Sequence, residues 1–192
     1  MTNLENLIEH WRAGDERAAE AIYNLHRERT FRLAYVLLGN TEDAEEAAQD
    51  ALTYALVNIH HFDARRSKFT TWLHMITVSR SRDLLRKRRL PTFSLSNWLQ
   101  GRTHPMDTNP GPELRVENNE IRSAIWQAIQ ELSPILREAI VLRYWGGHTY
   151  QEIAEIVGCP MKTAQSRVRL AHQNLSQTLA EADLGQIVEE TP

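Results

Sequence analysis

Lys162, Gln165, Ser166, Arg169, His172 and Gln173 recur at helical spacing on one face that is rich in donors and amides and carries no acid. A face of that kind makes hydrogen bonds to phosphate oxygens and base edges. It breaks no bonds, because nothing in the chain pairs a nucleophile with an activating group. A second chemistry-bearing stretch sets Arg65, Arg66 and Lys68 among the rings of Phe62, Phe69 and Trp72. Cations meet phosphates and aromatic rings stack on unpaired bases, so the stretch suits single-stranded DNA; core packing is the other use of Phe69 and Trp72, and the commoner one for such rings. There is no glycine-rich phosphate loop and no cluster of carboxylates for metal catalysis. His60, His61 and His74 have no carboxylate or cysteine at ligand spacing, and they are expected to be solvated or partly packed. The single cysteine, Cys159, forms no zinc pattern and no disulfide framework. No metal, cofactor or catalytic residue is expected.

The elements that must position the donor face follow from the local sequence. Thr149 with Glu152 three residues on is a capping-box pattern, so a short helix starts at Tyr150. Gly158 supplies a turn, and Pro160 suits the first turn of a second helix. In that helix Ala164, Val168, Ala171 and Leu175 form one apolar seam that packs inward and leaves the donors outside. Two helices joined by a glycine turn are a helix-turn-helix candidate; spacing alone fits an ordinary helical hairpin as well.

The order of residues is more specific. TYQEIAEIVGCPMKTAQSRVRLAHQNL resembles the promoter-reading helix-turn-helix of extracytoplasmic-function sigma factors, which are specificity subunits of bacterial RNA polymerase. ELSPILREAIVLRYWGGHTYQEIA is similar to their region 4, TEDAEEAAQDALTYALVNI to a region 2 docking segment, and FDARRSKFTTWLHMI to the region 2 loop that captures an unstacked base. The resemblance implies that Lys162, Thr163, Gln165, Ser166, Arg167 and Arg169 meet the −35 element. It implies that Phe62, Asp63, Arg65, Arg66, Lys68, Phe69, Trp72, Ser79, Arg80 and Arg86 serve the −10 element. Asp43, Glu46, Gln49 and Asp50 become the docking candidates for core polymerase. The implied partners are the clamp coiled coil and flap of that enzyme, promoter DNA and an anti-sigma factor. Lys162 stands where the family usually has a small residue, and Gln165, Leu170 and His172 replace common basic positions, which implies a weaker grip on phosphate.

Charge distribution fits a protein that binds DNA with help. The formal net charge is −3, too acidic for unaided electrostatic binding. Yet Arg80, Arg82, Arg86, Lys87, Arg88 and Arg89 cluster against Asp83 alone, while Glu42, Asp43, Glu45, Glu46 and Asp50 have no basic neighbour. The acidic run also matches the positive end of a helix that Thr41 would cap.

The expected fold is all-α: two small helical domains joined by a flexible linker, the second holding the helix-turn-helix. The expected boundaries are 1–89, a linker 90–112 rich in Pro and Gly, 113–180, and an acidic tail 181–192. Phe93, Leu95, Trp98 and Leu99 make the linker more apolar than a spacer requires. In the second domain Val116, Ile121, Ile125, Ile129 and Leu132 form a helical stripe, and Ser133 and Pro134 open the next helix. No apolar run approaches the roughly 18 residues of a membrane helix, and Met1 to Asn6 lacks a signal-peptide pattern, so a cytoplasmic protein without membrane insertion is expected. Three other functions fit parts of the chain. A free-standing helix-turn-helix regulator leaves the acidic docking segment unused, a recombinase lacks its chemistry, and an adaptor would use only the linker and tail.

Overall fold

The structure, a computed structural model, describes residues 3–89 and 112–181. Those residues build eight α-helices and one short 3-10 turn, and no strand occurs among them. The first lobe comprises α1 (Asn3–Arg12), α2 (Glu16–Leu38), α3 (Thr41–Val57), the 3-10 turn Ile59–His61 and α4 (Phe69–Arg89). The second comprises α5 (Pro112–Glu131), α6 (Pro134–Tyr144), α7 (Tyr150–Val157) and α8 (Met161–Glu181). The linker aromatics and residues 182–192 of the acidic tail lie outside the described residues, while Pro112, expected in the linker, begins α5 and Glu181, expected in the tail, ends α8. None of the described helices is long and apolar enough to cross a membrane.

Helix ends follow the chemistry of the caps. The Asp15 carboxylate accepts from the Arg17 N–H and opens α2, and Gly39, at φ 77°, closes it. The left-handed conformation favours glycine there, and an added Cβ would come within 2.6 Å of Gln130 Oε1. The cap of α3 is Asn40, one residue earlier than expected. Its backbone is extended and its Oδ1 accepts from the Asp43 N–H at 2.9 Å, so Thr41 becomes the first helical residue. Ser133 precedes Pro134 at the start of α6 without a side-chain cap bond. The capping box of α7 is complete: the Glu152 N–H donates to Thr149 Oγ1, and the Thr149 N–H donates to Glu152 Oε2 at 2.8 Å. Thr149→Ala is therefore expected to cost about 1 kcal/mol of stability, measurable as a lower denaturant midpoint.

Apolar positions sort into two clusters. Ile8, Ile22, Leu52, Ile59, Phe62, Phe69 and Leu73 fill the first lobe. The other cluster is shared: Val36, Leu37 and Leu38 of α2 and Val78 and Leu84 of α4 pack with Ile129, Leu132, Ala139, Ile140, Ile153 and Val157. Tyr35 stacks on Trp126 across the same boundary, with ring centroids 4.8 Å apart. The two expected domains are thus present as lobes, and they share a core.

Polar groups seal the boundary from both sides. The last carbonyls of a helix have no partner within it. Those of α2 find theirs in the second lobe, where Gln130 Nε2 donates to Val36 O and Arg137 Nη1 donates to Leu37 O, both at 2.9 Å. The end of α7 is served in return by the first lobe, because Arg82 donates to Val157 O at 3.3 Å and 3.4 Å. Each lobe caps a helix of the other.

Candidate nucleic-acid interface

The candidates for the upstream element lie on α8. Ala164, Val168 and Ala171 are buried and Leu175 is half-buried, as the seam requires, which fixes the rotation of the helix. Lys162, Gln165, Ser166 and Arg169 are then exposed, while Thr163 and Arg167 are half-buried at the edges of the same face. Gly158, at φ 73°, ends α7 with its N–H donating to Ala154 O, and the chain re-enters helix within three residues. Behind α7 the Arg143 guanidinium lies 5.0 Å from the Tyr150 ring and donates to His148 O at 3.0 Å, which ties the turn to α6. The resulting exposed face presents three cations, an amide and hydroxyls without an intervening carboxylate, a set that can bind phosphates and base edges.

The second set of candidates lies at the loop before α4, and it divides. Phe62 is 5% exposed and Phe69 4%, so their rings form core, the second of the two uses expected for the aromatics of this stretch. The two rings meet edge to face at 5.4 Å, and Trp72 packs on both while remaining half-buried. Arg12 donates to Ile59 O and Phe62 O and holds the loop from below. Asp63 turns inward on the loop itself: its carboxylate accepts from the Arg65 side chain and backbone N–H, and these bonds hold its pKa below the usual range. Arg65 and Arg66 project into solvent. Ser79 is exposed, the Arg80 guanidinium lies 5.1 Å from the Tyr54 ring, and Arg86 pairs with Asp83 at 2.9 Å.

Lys68 points elsewhere. Its ammonium meets Glu152 Oε1 of the second lobe at 3.0 Å. Burial pushes the Glu152 carboxyl up, but the Thr149 N–H and hydroxyl together with Lys68 outweigh it and hold the pKa at about 2. On α3, Glu46, Gln49 and Asp50 are exposed together. Asp43 is not equivalent to them, for it receives a bond from Asn40 and pairs with Arg88 at 2.6 Å.

Comparison with known proteins agrees with this two-headed arrangement. The Sigma-70 region 2 model matches residues 22–90, and the model of Sigma-70, region 4 matches residues 122–175. The ECF RNA polymerase sigma factor SigW of Bacillus subtilis is 31% identical over 182 residues, covering 92% of this chain and 96% of that protein. The chain belongs to the extracytoplasmic-function RNA polymerase sigma factors. The RNA polymerase sigma-H factor of Pseudomonas aeruginosa is 28% identical, with 91% and 93% of the two chains covered. Among solved structures, the sigma factor RpoE in complex with the anti-sigma factor NepR from Bartonella quintana is similar, with 25% identity and a TM-score of 0.68. That match covers 84% of this chain and 96% of the other.

Several residues of this sigma factor that shape the site have no signal in the sequence. Arg82 forms a bidentate pair with Glu138 at 2.8 Å and 2.6 Å, and the Glu138 side chain is only 6% exposed. His74, expected to be solvated or partly packed, is buried, and its Nδ1 lies 2.7 Å from His148 Nε2 of the other lobe. No pattern links positions that far apart in the chain. Among the described residues no group of three or more potential ligands could hold a metal ion.

Proposed function

We propose that this sigma factor directs core RNA polymerase to promoters by a division of labour between its lobes. The observation that carries the proposal is the pairing, in one chain, of a donor-lined helix-turn-helix in the second lobe with a first lobe that presents both basic loop residues and an acidic helix face. The α8 face would enter the major groove of the −35 element, with Lys162, Gln165, Ser166 and Arg169 foremost and Thr163 and Arg167 at the rim. Arg65, Arg66, Ser79 and Arg80, with the half-buried Trp72, would hold the separated −10 strand. Phe62, Asp63 and Phe69 would shape that loop from within. Melting is then favoured by binding of the unpaired strand, and no catalysis by this chain is needed.

Glu46, Gln49 and Asp50 would dock on the polymerase clamp, while Asp43 steadies the start of α3. The chain would work in the cytoplasm, where that enzyme is found. An anti-sigma factor is a fitting partner, since the similar RpoE is bound to one. Transcription by purified core polymerase is the test: promoter-specific initiation that requires this chain supports the proposal, and initiation unaffected by it sinks it. Arg169→Ala is expected to weaken holoenzyme binding to the upstream element by roughly 5-fold to 10-fold and to reduce the salt slope by about one. Permanganate reactivity of the downstream strand, once bound, should be unchanged. Loss of strand opening with intact duplex affinity would assign Arg169 to the wrong element.

A further inference from the structure

The boundary between the lobes carries more than a shared core. Polar contacts there are directional and reciprocal, as in a built interface: Arg82 with Glu138 and Val157 O, Arg137 with Leu37 O, Gln130 with Val36 O, and Lys68 with Glu152. Midway along it two imidazoles face each other, one from α4 and one from the turn before α7. We propose that the free chain is latched shut through this interface, and that the His74–His148 hydrogen bond is a catch released by acid.

The bond requires one ring to donate and the other to accept, so it exists while one of the two facing nitrogens carries a proton and the other does not. The neighbours decide what a further proton does. From α2, His26 and Arg29 face His74, and both oppose positive charge there. From α7, Glu152 faces His148 Nδ1 at 3.8 Å and favours its charge, while Lys68 opposes it. Burial outweighs the carboxylate. His74 is held at about 3, by burial first and then by His148, His26 and Arg29, and His148 is also lowered, chiefly by burial.

The sign follows from linkage. The closed form keeps both rings neutral, whereas in the open form each ring returns toward the ordinary value near 6.5. Closure is therefore fully supported above about pH 6.5 and loses support progressively as pH falls below it, because the open form binds more protons. Between pH 7.5 and 5.5 release of His74 raises the ratio of open to closed molecules about tenfold, and His148, also lowered, raises it further, to a ceiling of about a hundredfold for the two. His26 titrates within the first lobe and does not sit between the two.

The latch would also govern DNA access, a consequence that rests on the promoter-binding function proposed above. Lys68 is held by Glu152 while the lobes are closed, and the two reading heads cannot separate to meet two distant promoter elements. Acidification would free both.

Single-molecule energy transfer on the full chain tests the latch without polymerase. Dyes are placed at Asn24→Cys and Asn174→Cys, both exposed, in a Cys159→Ser background. The expected result is a closed majority at pH 7.5, a rise of about tenfold to a hundredfold in the open ratio at pH 5.5, and a flat response in the His74→Gln/His148→Gln double variant. A wild-type ratio that does not change with pH, or a double variant with the wild-type slope, overturns the catch; an open majority at pH 7.5 overturns the latch itself. If the double variant loses its helical circular dichroism, imidazole NMR of the wild type decides. Rings that stay neutral in the closed population at pH 5.5 support the catch, and rings that titrate near 6.5 while the lobes stay closed overturn it. Failure of promoter-specific transcription at pH 7.5 would instead retract the promoter function and leave the latch standing.

Discussion

Leu142→Ala is expected to lower the unfolding free energy by about 3 kcal/mol, within the range for a buried leucine truncated to alanine. Leu142 lies on α6 and is fully buried, in the cluster that also contains Val141, Ile153, Ile156, Ala164 and Val168. A cavity there removes the support under both helices of the helix-turn-helix at once. With total stability on the order of 5–15 kcal/mol, the variant keeps a folded majority at 25 °C but melts earlier, by roughly 10 °C. Calorimetry checks it. A shift of less than about 2 °C would mean that the surrounding side chains collapse into the space, which the packing of α6, α7 and α8 argues against.

Arg82→Ala should act on the arrangement of the lobes and spare their internal folds. The substitution removes both bonds to the Glu138 carboxylate and the bonds to Val157 O, and it strands a carboxylate that water scarcely reaches. Breaking a fully buried pair costs about 3–5 kcal/mol; the arginine is 42% exposed, so about 2 kcal/mol is the better figure. That corresponds to a roughly 30-fold rise in the open ratio at neutral pH. Energy transfer between the lobes reads it directly, and circular dichroism should stay unchanged. Arg82→Lys should rescue only in part, since an ammonium cannot fork onto two carboxylate oxygens. If Arg82→Ala leaves the transfer distribution of the wild type intact, the pair contributes nothing to closure.

What the sequence could and could not announce follows from the range of each interaction. The capping box of α7, the seam of α8 and the Gly39 and Gly158 stops depend on residues within a few positions of one another, so spacing alone reveals them. Asn40 and Thr41 are both good caps, and only the extended backbone at Asn40 decides between them. Phe62, Phe69 and Trp72 sit among cations and look like a stacking platform. Packing of the three on one another buries two of them, and no local pattern could tell which. The contacts between lobes are wholly long-range: Arg82 meets Glu138 across 56 positions and Arg137 meets Leu37 across 100. A polar residue with a partner that remote reads in the sequence as surface.

Glu152 binds these two levels together. Its Oε2 closes the first turn of the short helix ahead of α8, while its Oε1 receives the ammonium from the opposite lobe. In a selection for bacteria that have lost the Lys68 charge, second-site changes would therefore be scarce at Glu152, because any gain across the boundary would be offset at the helix start. Evolution can retune the hold between the halves at Arg82 or the histidines, but at this carboxylate the two traits are inherited as one.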